Sequence, residues 1–144
     1  MDPVSDLKLK RSVYIDVCHT QSLNGMDPVE IEEDVEGALY QVDPQTYILA
    51  FDSDLNGRKV TTTVKVGQDT VSLVKIGDVH SRQTFAVDQW LASQFFYGGG
   101  SIVPQLHQEI RLRANPDGGL IEVLYELWSG DTHLGYFNLE LFIR

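Results

Sequence analysis

The chain has 144 residues, a net charge of −10 from 21 acidic and 11 basic side chains, and one cysteine. As one domain spanning residues 1–144 it buries roughly 68–70% of the surface its unfolded form exposes, so it needs no disulfide or structural metal to fold. So acidic a surface repels phosphate, and no basic stripe with interleaved aromatics offsets it, which excludes nucleic acid and anionic membranes as partners.

Cys18 has no second cysteine to pair with, which suits a reducing compartment. No apolar run approaches the roughly 20 residues of a membrane helix. The opening Met1–Val4 lacks the basic and apolar regions of a signal peptide. A cytoplasmic protein is expected.

Apolar and polar side chains alternate with a two-residue period from Leu7 to Ile143, the signature of strands rather than helices. A first strand is expected over Leu7–Cys18, with Leu7, Leu9, Val13, Ile15 and Val17 inward. After a polar loop, a second begins near Val29, its inner face Ile31, Val35, Gly37 and Leu39. Its other face is Glu30, Glu32, Asp34 and Glu36, a solvated acidic surface whose repulsion Lys8 and Lys10 are placed to relieve. Tyr47–Phe51 is apolar on both faces, and Asn56-Gly57 marks a tight hairpin.

Val60, Val64 and Val66 continue the sheet, and Gly67 and Gly77 punctuate two shorter strands. Val79, Gln83, Phe85 and Val87 share a face. Trp90–Tyr97 fits neither period well and admits a short helical turn. Gly98–Gly100 breaks the chain before a strand with Leu106, Ile110 and Leu112 on one side. Asn115–Gly119 is a strong turn, and a last hairpin pairs Leu120–Trp128 with Leu134–Ile143. Short strands joined by hairpins leave costly edges unless the sheet closes. The expected fold is therefore all-β, an antiparallel up-and-down barrel of about 8–10 strands.

From Gly37 onward the order and spacing of several features resemble a known family. They are Gly37, Tyr40, Tyr47-Ile48-Leu49, Thr61–Val66, Gly77 with Gln83 and Phe85, Tyr97-Gly98, and Gly118-Gly119-Leu120 leading to Val123, Tyr125 and Leu127. The chain resembles the YwiB-like bacterial domains of unknown function, which implies a calycin-type, lipocalin-like barrel and transfers no catalytic residue. Two positions depart from that pattern. Pro104 suggests an edge or bulge, and Glu33 stands where an apolar residue is usual.

Chemistry-bearing motifs are sparse. Asp52-Ser53-Asp54-Leu55-Asn56-Gly57 matches half of a calcium loop, but the twelfth position is Thr63 instead of a bidentate carboxylate. His19, His80, His107 and His133 lack ligand spacing and are expected at the surface or in loops. Cys18 sits in an acidic neighbourhood that disfavours a thiolate. Gly98–Gly100 precedes a strand and not a helix, so it is no phosphate cradle. No metal, cofactor or catalytic set is implied.

Polar residues on otherwise apolar faces are more informative. Gln83, Gln108, Arg11 and Glu33 interrupt inner faces, and Tyr125 carries a polar tip among inward residues. Arg11 and Glu33 are expected to be diagonal neighbours across the first hairpin. A buried polar group without a partner costs about 1–3 kcal/mol, so these residues either bond to one another and to backbone or line a ligand cavity. Leu120, Leu124, Trp128, Leu134, Tyr136 and Phe142 form an outward apolar stripe opposite Ile121, Val123, Tyr125, Leu127, Phe137, Leu139 and Leu141. Something must cover it: the chain itself, or a second copy. The leading function is a non-enzymatic binder of a small apolar or amphipathic molecule in the barrel. The alternative is an interaction or homodimerisation module using the last hairpin.

Overall fold

The alternation closes on itself. The structure, a computed structural model, describes the backbone of residues 9–55, 57–78, 80–86, 90–97, 101–115 and 119–144. Of these it describes the side chains of all but 9, 55, 90, 92–97 and 101–114. The described residues form ten strands: β1 (Leu9–Leu23), β2 (Val29–Asp43), β3 (Thr46–Leu55), β4 (Arg58–Val66), β5 (Thr70–Gly77), β6 (His80–Ala86), β7 (Trp90–Tyr97), β8 (Ser101–Asn115), β9 (Leu120–Ser129) and β10 (Thr132–Ile143). Each pairs antiparallel with its sequence neighbours, and β1 pairs with β10 to close the barrel. This is the closed, all-β antiparallel barrel that the alternation implies, and it accords with the calycin-type fold that the family resemblance implies.

Three local expectations are revised. The first strand continues five residues past Cys18, to Leu23. Its extension, His-Thr-Gln-Ser-Leu, lacks the apolar alternation of the rest but is held by five pairs with β10, from His19–Leu139 to Leu23–Gly135. Trp90–Tyr97 is strand and not helix, because β8 pairs along its whole length. Pro104 lies within that ladder opposite Gln94, and the irregularity of β8 falls instead between Glu109 and Arg111, where the register with β9 shifts. The expected turns at Asn56, Gly98–Gly100 and Pro116–Gly118, and the faces assigned to Val79, Val87, Leu106, Ile110 and Leu112, lie outside the described residues or side chains.

The inner face has two unlike halves. The end of the barrel that holds the β2–β3 and β4–β5 turns is packed solid. The largest fully buried side chains are Phe85, Ile15, Leu49, Ile121, Leu141, Val64, Val71 and Val123, and all belong to this half. Burial of a side chain of this kind contributes about 1.5–3 kcal/mol relative to exposure. Toward the other end, which holds the β1–β2 and β9–β10 turns, small or polar residues, Ser53, Thr62, Ser81 and Gln83, join the apolar ones on the inner face. There the described side chains surround a cavity.

Gly37 lets the packed half close. It lies opposite Val13 and Phe51, and a Cβ there would stand 2.5 Å from the Ala50 carbonyl oxygen and 2.9 Å from Ile15 Cδ1. Overpacking of this kind typically costs about 1–3 kcal/mol. Gly37→Val is expected to lower the free energy of unfolding by about that amount, measured as a shifted midpoint in urea with an unchanged slope.

Candidate functional site

The half-filled interior leaves a cup of about 1130 Å³. Small-molecule sites usually measure about 300–1,000 Å³, so this one is large. Its walls come from the outer halves of β1 to β6, β9 and β10. Apolar lining includes Val17, Leu23, Ile31, Phe51, Leu73, Leu127, Leu134, Phe137 and Leu139, and polar lining His19, Gln21, Glu33, Arg58, Thr62, Lys75, Ser81 and Gln83. At the end carrying the β1–β2 turn, Met26, Val29 and Ile31 are exposed, an apolar rim beside the polar turn.

An aromatic stack links floor to wall. Phe85, fully buried, meets Tyr125 with ring centroids 4.8 Å apart. Tyr125 stacks on Phe137 at 5.1 Å, and Phe137 on His19 at 6.2 Å. Gln83 is buried beside Tyr125 and hydrogen-bonds its hydroxyl. Burial nevertheless pushes the Tyr125 phenol up to about 12, so it stays protonated. Gln83 and Tyr125 therefore satisfy each other while both line the cup.

Lys75 lies one row above Leu73 on β5. Antiparallel register sets Thr62 of β4 on one side of it and Ser81 of β6 on the other. Directly opposite residues share a face with Cβ atoms about 4.5–5.5 Å apart, so the Lys75 side chain rises between two buried hydroxyl residues. Burial lowers its proton affinity, and the distant Glu33 carboxylate opposes this only in part. Among the described residues no carboxylate lies within ion-pair distance of Lys75.

His19 faces the same cavity and is neither a surface nor a loop histidine, because it continues the inward series Val13, Ile15, Val17 once β1 is seen to extend. Burial first, and the Lys75 charge second, push its imidazolium down to about 4. Gln21 Nε2 lies 3.5 Å from Nδ1. An amide nitrogen only donates, so the contact favours the tautomer with its proton on Nε2. That Nε2 is buried and has no hydrogen-bond partner among the described residues.

The remaining sequence candidates separate. Glu33 is half-buried on the cup wall, opposite Val17. Arg11 is opposite Leu39, exposed near the packed end, so it is not a diagonal neighbour of Glu33 and does not reach the cup. The turn at residues 24–28 sets that register, separating the two by six positions, roughly 20 Å of strand. Gln108 pairs in register with Glu126, and its side chain lies outside the described ones. Sequence reasoning missed His19 and Lys75. Their only signal was parity, a histidine two residues past Val17 and a lysine two past Leu73.

On the outer face of the last hairpin, Leu120, Leu124 and Trp128 are half-buried, and Tyr136 and Phe142 are exposed. The stripe is broken by Glu126, opposite Tyr136, and Asn138, opposite Leu124. Leu134 leaves it altogether. A bulge between His133 and Gly135 turns it into the cup, while His133 sits edge-on against Trp128 and Tyr136 at 4.9 Å.

The acidic outer face of β1 and β2 is not relieved as expected. Lys10 lies opposite Tyr40, 5.5 Å from its ring centroid, and Lys8 lies outside the described residues. Asp16 is opposite Asp34 instead, and their shared hydrogen bond holds the Asp16 carboxyl below its ordinary range and Asp34 above it. Arg144 bonds Asp16 at 2.7 Å. Cys18 donates to Glu30 at 3.3 Å, and burial and that carboxylate raise the thiol. Asp52 accepts from Thr61 at 2.7 Å within a strand, which removes the calcium-loop geometry. Among the described residues no nucleophile, base and orienting group come together.

Comparison with known proteins agrees with this geometry. The family model described as "Domain of unknown function (DUF1934)" matches residues 15–141. The ywiB protein from Bacillus subtilis, known from its crystal structure, superposes with a TM-score of 0.81 at 19% identity, over 99% of this chain and 98% of that one. No curated protein matches.

The His19 environment sets a pH dependence. The folded imidazole titrates near 4 against 6.5 in the unfolded chain. Between those values the unfolded state binds more protons, so stability falls as pH drops through that window and is unaffected by His19 above it. A His19→Phe variant is expected to lose less stability than the parent between pH 7 and pH 4, by on the order of 3 kcal/mol at most, measured by urea unfolding at each pH.

Proposed function

The chain belongs to the DUF1934 family of domains of unknown function, and we propose that it is a non-enzymatic barrel that holds a small apolar or amphipathic molecule in its cup. The observation that supports this is the division of the interior. A barrel of this size can be filled by side chains alone, yet only one half is. The other half presents a largely apolar wall with a few polar groups, the usual make-up of a small-molecule site. The exposed Met26, Val29 and Ile31 give such a molecule apolar contacts at the mouth.

Self-association through the last hairpin has weaker support. Of the five candidate side chains only Tyr136 and Phe142 are exposed, and acidic and amide groups divide them.

The neutral fluorophore N-phenyl-1-naphthylamine, which brightens in apolar surroundings, tests the reading. The protein is expected to enhance its emission saturably with micromolar affinity. Ser53→Trp, which places an indole in the cup, is expected to weaken binding at least tenfold while the urea midpoint is kept. Absence of saturable enhancement by the parent protein would overturn the proposal.

A further inference from the structure

The charges inside the cup do not follow those of the chain. The sequence carries 21 acidic against 11 basic side chains, yet the cup's described lining holds two cations, Lys75 and Arg58, and one carboxylate, Glu33. His19 is neutral there. The acids of the outer wall, among them Glu30, Glu32 and Asp34, are exposed, and their fields are screened over about 8 Å at physiological salt.

Two donors in the cup have no acceptor among the described residues. One is the Lys75 ammonium, which has no close carboxylate. The other is the Nε2 of His19, buried and unpartnered. A recessed ammonium without a counter-ion is costly, and proteins resolve that cost by pairing the charge. Glu33 faces the same cup and attracts Lys75, but among the described residues the two form no close ion pair. Thr62 and Ser81, on either side of Lys75, supply hydroxyls that can donate to a further acceptor.

We propose that the cup takes an amphipathic carboxylate, its head group seated on Lys75 between Thr62 and Ser81 and its chain on the apolar wall of Phe51, Leu73 and Leu139. This deepens the binding reading above and rests on it. Charge-assisted hydrogen bonds from Lys75 and the two hydroxyls hold the carboxylate, and the neutral Nε2–H of His19 offers another donor from the same cavity. Arg58, exposed at the start of β4, adds attraction at the open end. An alcohol of the same chain length keeps the apolar contacts and leaves the ammonium unpaired. A quaternary ammonium places like charges together.

Displacement of N-phenyl-1-naphthylamine by decanoate, decanol and decyltrimethylammonium separates the head group from the chain. Decanoate is expected to compete at least tenfold better than decanol, and the cation worse than either. With each variant's competition scaled to its own fluorophore affinity, Lys75→Met is expected to bring decanoate to the level of decanol, while Lys75→Arg keeps the preference. Equal competition by decanoate and decanol, or stronger competition by the cation, overturns the carboxylate assignment and leaves cup binding intact. Failure of the parent to bind the fluorophore overturns both. Should Lys75→Met not fold, the parent's ranking of the three ligands still decides between these outcomes.

Discussion

Closure of the sheet through the β1–β10 ladder is the constraint on which everything else in this molecule rests. A strand edge exposes a row of unpaired backbone groups, and an open ten-stranded sheet would carry two. Nine residue pairs between β1 and β10 remove both edges and at the same time create an inside. The close approach has a visible requirement at Gly135, where any Cβ would collide with the Ser22 carbonyl. It also explains why the polar end of β1 is strand at all. His19, Thr20, Gln21 and Ser22 have little apolar surface to bury, and ladders on both sides hold them extended.

Once closed, the barrel divides its interior by side-chain size. Phe85, Ile15, Leu49 and their neighbours in the packed half are fully buried. The opposite half is built from residues that cannot fill the same cross-section. Its groups at the boundary are not left unsatisfied: Gln83 bonds Tyr125, and Tyr125 stacks between Phe85 and Phe137. Lys75 and His19 project into the space so formed, and their lowered proton affinities have the same cause, loss of water without a compensating partner.

The outer surface follows a different logic. Like charges face one another across β1 and β2, as at Asp16 and Asp34. Proton sharing between the two and the Arg144 guanidinium relieve that pair, where basic residues of the same strand do not. Cys18 lies among these carboxylates with its thiol raised, which keeps it an unreactive side chain. The wall thus separates a strongly acidic exterior from a cup whose described lining carries Lys75, Glu33 and, at its open end, Arg58.

Much of the fold was legible from alternation alone, because period two is a local property that each strand carries by itself. The placement of Gln83, Phe85 and Tyr125 on inner faces needed no more than parity along β6 and β9. Three things were not legible. Arg11 and Glu33 occupy the right parity, but whether they meet depends on hairpin register, which the turn at 24–28 decides. Leu134 has the parity of the outer face, and a bulge reverses it. His19 and Lys75 read as ordinary surface residues until closure turns their faces into the wall of a cup. Local periodicity determines which side chains share a face. Only the long-range β1–β10 pairing decides that this face is an interior, and only the sizes of side chains brought together from eight strands decide where it is empty.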